Sequence, residues 1–492
     1  MVKNIVLAVF LLVGGANLRA QVIDNFLLKT PPNRNGLVGN SVSDLIWFNG
    51  TLYAGTSQGL SATSDEGASW KNWTPADYGG KGGISAMEVT PDGSVWIATG
   101  YDTTIQDNSF QIGGGLRFLP AGSDQWQFFP QPIDARSDTT AGMRPTTTRV
   151  QNITFDMMVT GNEVWIASWA GGIRRSSNHG QSWQIVTLDG KPFDAASNVN
   201  QLGFSLLAEN GHIWVGTAGG LGLSLDGGNN FKIFTHTNKP GSIAANWILG
   251  LAYNAYDGSV WALTRPALGA DEINSVSRTK NDGQSWQTFL ADELSDGTFA
   301  RAIAFYDSAV YIATEKGVYK SIDDGRTWFL FPPARDEVTG ETLEGNTFFS
   351  VATSPAAGGY HNLWAGSSEG LAVTGNNGFT WTVFRSFIST RVRKEPAVYA
   401  YPNPFSPSRD EPVRFQFDIK IAGEVSIEIF NFAMERVIRI TRFEAAPDAG
   451  SADRSLRWDG RDSNGRMVDN GVYFFRAKIN GKVTWGKIVV VN

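Results

Sequence analysis

The stretch SIDDGRTW, Ser321 to Trp328, reads as a tight acidic turn closed by an aromatic residue. Turns of this kind hold metals or substrates in some proteins and only hold a fold together in others. What decides between the two is that the pattern recurs. A small hydroxyl residue, an Asp or Asn two positions on, a Gly two further and a closing aromatic return as TSDEGASW ending at Trp70 and SSNHGQSW ending at Trp183. They return again as SLDGGNNF ending at Phe231, TKNDGQSW ending at Trp286 and TGNNGFTW ending at Trp381. A feature repeated this often is architectural. The side chains of Asp65, Asn178, Asp226, Asn281, Asp323 and Asn376 are expected to accept hydrogen bonds from turn N–H groups, while the Gly takes positive φ.

Upstream of each turn stands a second signal, a strand of alternating character after a Gly, Asn or Asp turn. In chain order these are GTLYAGTSQGL, GSVWIATG, NEVWIASWAGGI, GHIWVGTAGGL, GSVWALTR, SAVYIATEKGV and HNLWAGSSEGL. The period-2 alternation suits half-buried strands and fits no helix. Each unit offers an inner strand, the Trp or Tyr strand, a third strand and a fourth carrying the closing aromatic. Units of about 50 residues repeated in this way predict the blades of a seven-bladed β-propeller. The unit that lacks the turn acid has LPAGSDQW, with Ala121 in its place.

On these residues the chain resembles the Asp-box repeats of sialidases, sortilin-type receptors and related propellers, over roughly residues 40 to 386. The segments VWIAT and IWVGTAGGL also look like the periplasmic propeller repeats of sensor kinases. The resemblance implies that the boxes are structural turns on the rim, remote from any binding or catalytic face. The sialidase Arg-Ile-Pro motif is absent from the chain.

The composition narrows the function classes. The 492 residues carry a formal net charge of −6, 55 glycines, 17 tryptophans and no cysteine, which excludes disulfides and thiolate chemistry. No long basic run appears, so nucleic acid is not an expected partner. His179, His212, His236 and His361 are scattered without metal-ligand spacing, and neither a metal nor a cofactor is expected. The segment before Gln21 has one Lys, an apolar run from Ile5 to Val13 and Ala20. This is the layout of a secretory signal peptide over residues 1–20, with an N-terminal anchor as the alternative reading. No later segment is apolar enough to span a bilayer.

In a blade, the loops between strands two and three and those between blades share one face. Here that face receives the long segments 100–114, 130–152, 265–274 and 332–346, and long loops on a rigid scaffold are where function concentrates. Arg149, Trp169, Trp247, Arg265 and Arg301 are the candidate ligand-binding residues, because aromatic and guanidinium groups around a funnel grip a glycan, a peptide or a carboxylate. Asp156, on a predicted inner strand, needs partners if buried and none if it faces water.

After a linker over 387–398 the repeat stops. The final segment, 399–492, begins YPNPF and continues through WDGRDSNG and GVYFF to GKIVVV, predicting an immunoglobulin-like β-sandwich. These motifs resemble the immunoglobulin-like domain of flagellar hook-capping proteins and the C-terminal sorting domain of type IX secretion substrates. The second resemblance implies export through the periplasm to the surface or medium, with the type IX machinery as a partner. The sequence therefore reads as all-β: a signal peptide, a propeller over 21–386 and an address domain, with a monomer expected. Binding of a glycan, peptide or surface partner is the leading function, a non-enzymatic one. A glycan-processing hydrolase using paired carboxylates on the same face, and a structural envelope component, are the competing readings.

Overall fold

A computed structural model describes residues 36–491 apart from 106–107, 135–146, 268, 270, 337–340, 344, 357–359, 387–397, 408–411 and 447–451. The segment read as a signal peptide, and nearly all of that read as a linker, lie outside these residues. By its internal contacts the chain divides into two compact units, the first carrying Leu37–Arg385 and the second the described residues from Ser386 onward. The described chain is all-β. One short 3₁₀ turn, Val199–Gln201, interrupts the strands.

The first unit contains seven four-stranded antiparallel sheets, each formed by consecutive strands in the order 1-2-3-4. The first strands of successive sheets pack against one another, and that of the seventh, Phe348–Pro355, packs against that of the first, Val42–Phe48. The ring therefore closes without a strand exchanged between the chain ends. Second strands are the most buried. Trp96, Trp165, Trp214, Trp261, Tyr311 and Trp364 are each exposed by 1% or less, because sheets cover both faces of these strands.

The turn motifs explain how the sheets are joined. In the sixth sheet Ser321 Oγ donates to Asp323 Oδ1 at 2.9 Å and accepts from Gly325 N at 3.0 Å, while Thr327 N donates to Asp323 Oδ1 at 2.9 Å. The same circuit forms around Asp65, Asn178, Asp226, Asn281 and Asn376. Each closing aromatic then reaches the preceding sheet. Trp381 meets Phe331 with ring centroids 5.8 Å apart, Trp328 meets Phe289 at 6.2 Å, and Trp286 meets Phe234 at 6.3 Å. Trp70 of the first sheet meets Phe384 of the seventh at 5.5 Å.

The turn glycine has a second duty here. At Gly378 φ is +80° and an added Cβ would lie 2.4 Å from Phe331 Cδ1; at Gly325 it would lie 2.3 Å from Phe289 Cε1. Glycine permits both the left-handed backbone and the close approach to the neighbouring sheet.

One expected loop proves to be structure. The segment 100–114 continues the second sheet's central hairpin, Val95–Ile105 paired with Asn108–Leu119 through Tyr101–Ile112 and Asp102–Gln111. Its alternating Thr, Ile and Phe residues suit a strand, and Gly100, Gly113 and Gly115 sit at a register shift.

The second unit holds a three-stranded and a four-stranded antiparallel sheet. Phe415 and Phe417 from one and Ile427, Ile429 and Phe475 from the other share a single buried cluster with Trp458. The YPNPF lead-in docks on the last strand: Phe405 N donates to Val489 O and Val491 N to Phe405 O, both at 2.9 Å. Asn403 adds a side-chain clamp, donating to Lys487 O and accepting from Val489 N, each at 2.8 Å. The stretch DGRDSNG is a turn closed by Asp462, whose Oδ1 accepts from Asn464 N and Arg466 N.

Candidate functional site at the mouth of the ring

All seven inner strands carry a β-bulge at the same place, near their N-terminal end. The inserted residues are Ser43, Ser85, Phe155, Phe204, Leu249, Arg301 and Phe349. A bulge re-aims side chains. Ser43, Ser85, Phe155 and Phe349 line one cleft, open to solvent, with Tyr101, Asp102 and Gln111, and its cavity volume is about 50 Å³. Two small bulge residues between two large ones leave that room.

Beside it runs a continuous aromatic and guanidinium array. Trp169 meets Phe204 in a tilted contact at 5.2 Å and Trp247 edge-to-face at 5.9 Å. The Arg265 guanidinium lies 5.5 Å from the Trp247 ring and 4.5 Å from that of Phe299. Arg301 lies 4.5 Å from the other side of the series, again on Phe299, and 5.3 Å from Phe349. Its Nη2 pairs with Glu315 Oε1 at 2.5 Å. Burial lowers the pKa of both guanidinium groups, and Glu315 opposes that shift. Of the five candidate residues the structure thus brings together Trp169, Trp247, Arg265 and Arg301. Trp247 is 5% exposed and supports the array from beneath, whereas Trp169 is half-buried. Arg149 is exposed and stands apart, in a pocket beside the second sheet.

The loops of this face are pinned by buried ion pairs and carboxylates, which sequence patterns did not reveal. Asp134 and Arg174 pair at 2.7 Å, with side-chain exposures of 1% and 6%. Glu272 accepts from Asn246 N, Asn246 Nδ2 and Ala267 N. Arg385 pairs with Glu341 at 3.0 Å and Glu369 at 3.6 Å. Several acids that the sequence places on the loop face therefore serve the scaffold.

Three carboxylates sit on inner strands behind the mouth. Asp156 Oδ1 accepts from Met157 N and Oδ2 from Leu206 N of the next sheet, both at 2.8 Å. Asp44 repeats this with Leu45 N at 2.8 Å and Met87 N at 3.2 Å. Burial of the carboxyl pushes Asp44 up to about 6 and Asp156 to about 7. Glu88 is pushed up to about 8, by burial first and then by the charges of Asp156 and Asp44. Among the described residues no group of three or more His, Asp or Glu is arranged to hold a metal ion, and no helix is long and apolar enough to cross a membrane.

No protein-family model matches the chain, and no curated protein matches it. Solved structures do. The GH74 enzyme of Niastella koreensis is similar over 93% of this chain and 74% of its own, at 12% identity and a TM-score of 0.52. The GH74 xyloglucanase of Xanthomonas campestris is similar over 78% of this chain and 59% of its own, at 15% identity and a TM-score of 0.51. PorZ, a surface component of the type-IX secretion system of Porphyromonas gingivalis, is similar over 94% of this chain and 61% of its own, at 16% identity and a TM-score of 0.42. The chain thus spans less than two thirds of PorZ and of the Xanthomonas enzyme. What the likeness to the GH74 structures shows is the fold, an all-β chain of propeller type.

Proposed function

We propose that the chain is a secreted or surface-attached bacterial binding protein. Residues 21–386 form a seven-bladed β-propeller and residues 399–492 an immunoglobulin-like sorting domain that engages the type IX secretion machinery. The seven sheets and their closed ring support the first part. The two-sheet core of the tail supports the second, as does Tyr473, whose hydroxyl donates to Asp469 O at 2.9 Å in the manner of a tyrosine corner. The motifs at the two ends of the tail, hydrogen-bonded through Asn403 and Phe405, form a single structural feature that a secretion apparatus can read.

The observation that carries the binding reading is the array running from Trp169 through Trp247, Arg265 and Phe299 to Arg301 and Phe349, beside an open cleft. Aromatic faces stack on sugar rings or peptide side chains, and guanidinium groups fix the polar end of the ligand. A hydrolase on this face needs two carboxylates converging on one bond. Asp44 and Asp156 instead hold backbone N–H groups with both oxygens.

The test is titration of the full chain with xyloglucan heptasaccharide, trigalacturonate, chitotriose and a mixed peptide pool, in wild type and in Trp169→Ala and Arg265→Ala. Binding without turnover, weakened at least tenfold in the variants at unchanged Tm, is expected. Turnover of a glycan, or binding indifferent to both substitutions, overturns the reading.

A further inference from the structure

The hairpin turn at residues 432–435 of the second unit is not built of the polar residues that turns favour. Phe432 is 80% exposed and Met434 51%, and Met434 holds φ at +62°, a backbone setting that suits Asn or Gly better than a long apolar side chain. The turn itself does not call for these residues. Its closure is the work of Asn431, whose N–H donates to Glu435 O at 3.0 Å and whose Oδ1 accepts from Glu435 N at 2.9 Å.

The turn stands at one end of a sheet face of the same character. Its strands are Arg436–Glu444, Gly423–Phe430, Gly471–Ile479 and Lys482–Val490, in that spatial order. One set of alternate residues, Ile427, Ile429, Phe475 and Ile488 among them, fills the core, and the other set faces outward. On the outward face Arg439, Glu428, Arg476 and Trp485 are successive cross-strand partners, and so in the next row are Phe430, Phe474 and Lys487. Phe430 lies 5.6 Å from Trp485, and Phe432 lies 6.4 Å from Phe474, so the ring of the turn joins the face. The Arg476 guanidinium lies 5.8 Å from the Phe430 ring and 5.7 Å from that of Trp485, which is 47% exposed.

Around this apolar centre the charge is mostly positive. Arg436 and Arg476 share the buried carboxylate of Glu428, and Arg439 pairs with Glu424 at 3.6 Å. Lys478 and Lys487 add two exposed ammonium groups, so that five cations stand against Glu424, Glu428 and the turn's Glu435. The bias extends to the whole segment: residues 399–492 carry a formal charge of +2 in a chain of −6.

A sugar would need neutral donors and acceptors set around its ring. The face offers Thr441 and Ser426, and Ser426 is 5% exposed and already accepts from Arg439 Nε. Apolar side chains projecting from a turn, a Trp beside them and Lys and Arg around them are instead the composition of an interfacial anchor. Rings of this kind enter the boundary between headgroups and acyl chains, and the cations meet the headgroup phosphates.

We infer that this sheet face docks peripherally on an anionic lipid surface. Phe432 and Met434 enter the acyl boundary, Trp485 lies at the level of the headgroups, and Arg436, Arg439, Lys478 and Lys487 meet the phosphates. The inference goes beyond the sorting role and does not draw on the ligand at the mouth of the ring.

The probe is a vesicle of phosphatidylcholine and phosphatidylglycerol in equal parts, with pure phosphatidylcholine as the uncharged control, each co-sedimented with the full chain. Binding to the mixed vesicle alone, weakening as salt is raised, is expected. The double variant Phe432→Ser with Met434→Ser, at an exposed turn, should weaken binding at least tenfold at unchanged Tm. Lys478→Ala with Lys487→Ala should weaken it and flatten its salt dependence, and Trp169→Ala should leave it unchanged. Absence of binding to the mixed vesicle overturns the inference, as does binding that neither double variant alters. Equal binding to pure phosphatidylcholine overturns the anionic class. A dimer seen by light scattering without vesicles, and lost in the turn variant, assigns the face to a second copy and overturns the lipid reading.

Discussion

Asp156 and Leu206 are joined across the seam between the third and fourth sheets, the carboxylate accepting the Leu206 backbone N–H at 2.8 Å. Asp44 bridges to Met87 across the first seam in the same way. Where serine takes the place of aspartate, the polarity reverses: Ser205 Oγ donates to Ile248 O at 3.0 Å, and Ser350 Oγ donates to Val42 O at 3.1 Å across the closing seam. In these four sheets the position after the bulge is thus a stapling position, whose residue decides whether a backbone donor or acceptor of the next sheet is satisfied, whereas Ala86, Gly250 and Ala302 occupy it in the other three.

Stability should fall as pH rises from about 4 to about 8. Asp44, Asp156 and Glu88 have folded-state values near 6, 7 and 8. Ordinary carboxyls titrate near 4 in the unfolded chain, so across this window the folded state binds more protons and loses stability with each one released. Glu88→Gln should flatten the profile and raise stability at pH 8 by about 1–2 kcal/mol. Urea midpoints measured at half-unit pH steps check this. A profile that rises from pH 5 to 8, or one that Glu88→Gln leaves unaltered, contradicts it.

The seams should be more sensitive than the turns. Trp381→Ala removes a ring buried on Phe331 and should cost about 3–5 kcal/mol. Gly378→Ala drives a methyl into Phe331 at a positive φ and should cost about 1–3 kcal/mol. Asp323→Ala, on an exposed turn, should cost less than either. Loss of ligand binding in Asp323→Ala at unchanged Tm would refute the structural reading of the turns.

Asp134→Ala should destabilise by about 3–5 kcal/mol, because it leaves the buried Arg174 guanidinium without its partner. Replacing both residues together, with Met at 174 and Leu at 134, should recover much of the loss. A double-mutant cycle by chemical denaturation measures the coupling.

Deleting residues 399–492 should leave a folded propeller held in the periplasm of the native host. The first unit, Leu37–Arg385, is compact by its own internal contacts. In the full chain, Asn403→Ala should cost about 1 kcal/mol and speed exchange of the Val489 amide, which donates to it. Fractionation and hydrogen exchange are the readouts; a truncated chain still reaching the medium contradicts the sorting role.

The strand repeats and turn circuits were legible in the sequence because both are local. In SIDDGRTW the acceptor Asp323 and its donors lie within four residues. The partners of the closing aromatics were less so, although a trace exists: each aromatic is followed three positions on by a hydrophobic residue, as in Trp381 and Phe384 or Trp286 and Phe289. That second residue receives the next sheet's turn. The bulges and the staple made by Asp156 were not legible. They join residues tens of positions apart, and Asp156 in ITFDMMV reads like any polar residue on an alternating strand. Arg117 in GGGLRFL likewise gives no hint that its guanidinium is buried and held by Thr99, Gly114 and Gly115.

The claim that function resides at the bulge end of the ring, and that the turn rim is scaffold, is tested most directly by hydrogen–deuterium exchange of the full chain with and without the tightest ligand of the glycan and peptide panel. The account predicts slowed exchange at 101–112, 247–249, 299–301 and 349, with 65–69 and 323–327 unchanged. Protection confined to those turns, or a panel in which nothing binds, would contradict it.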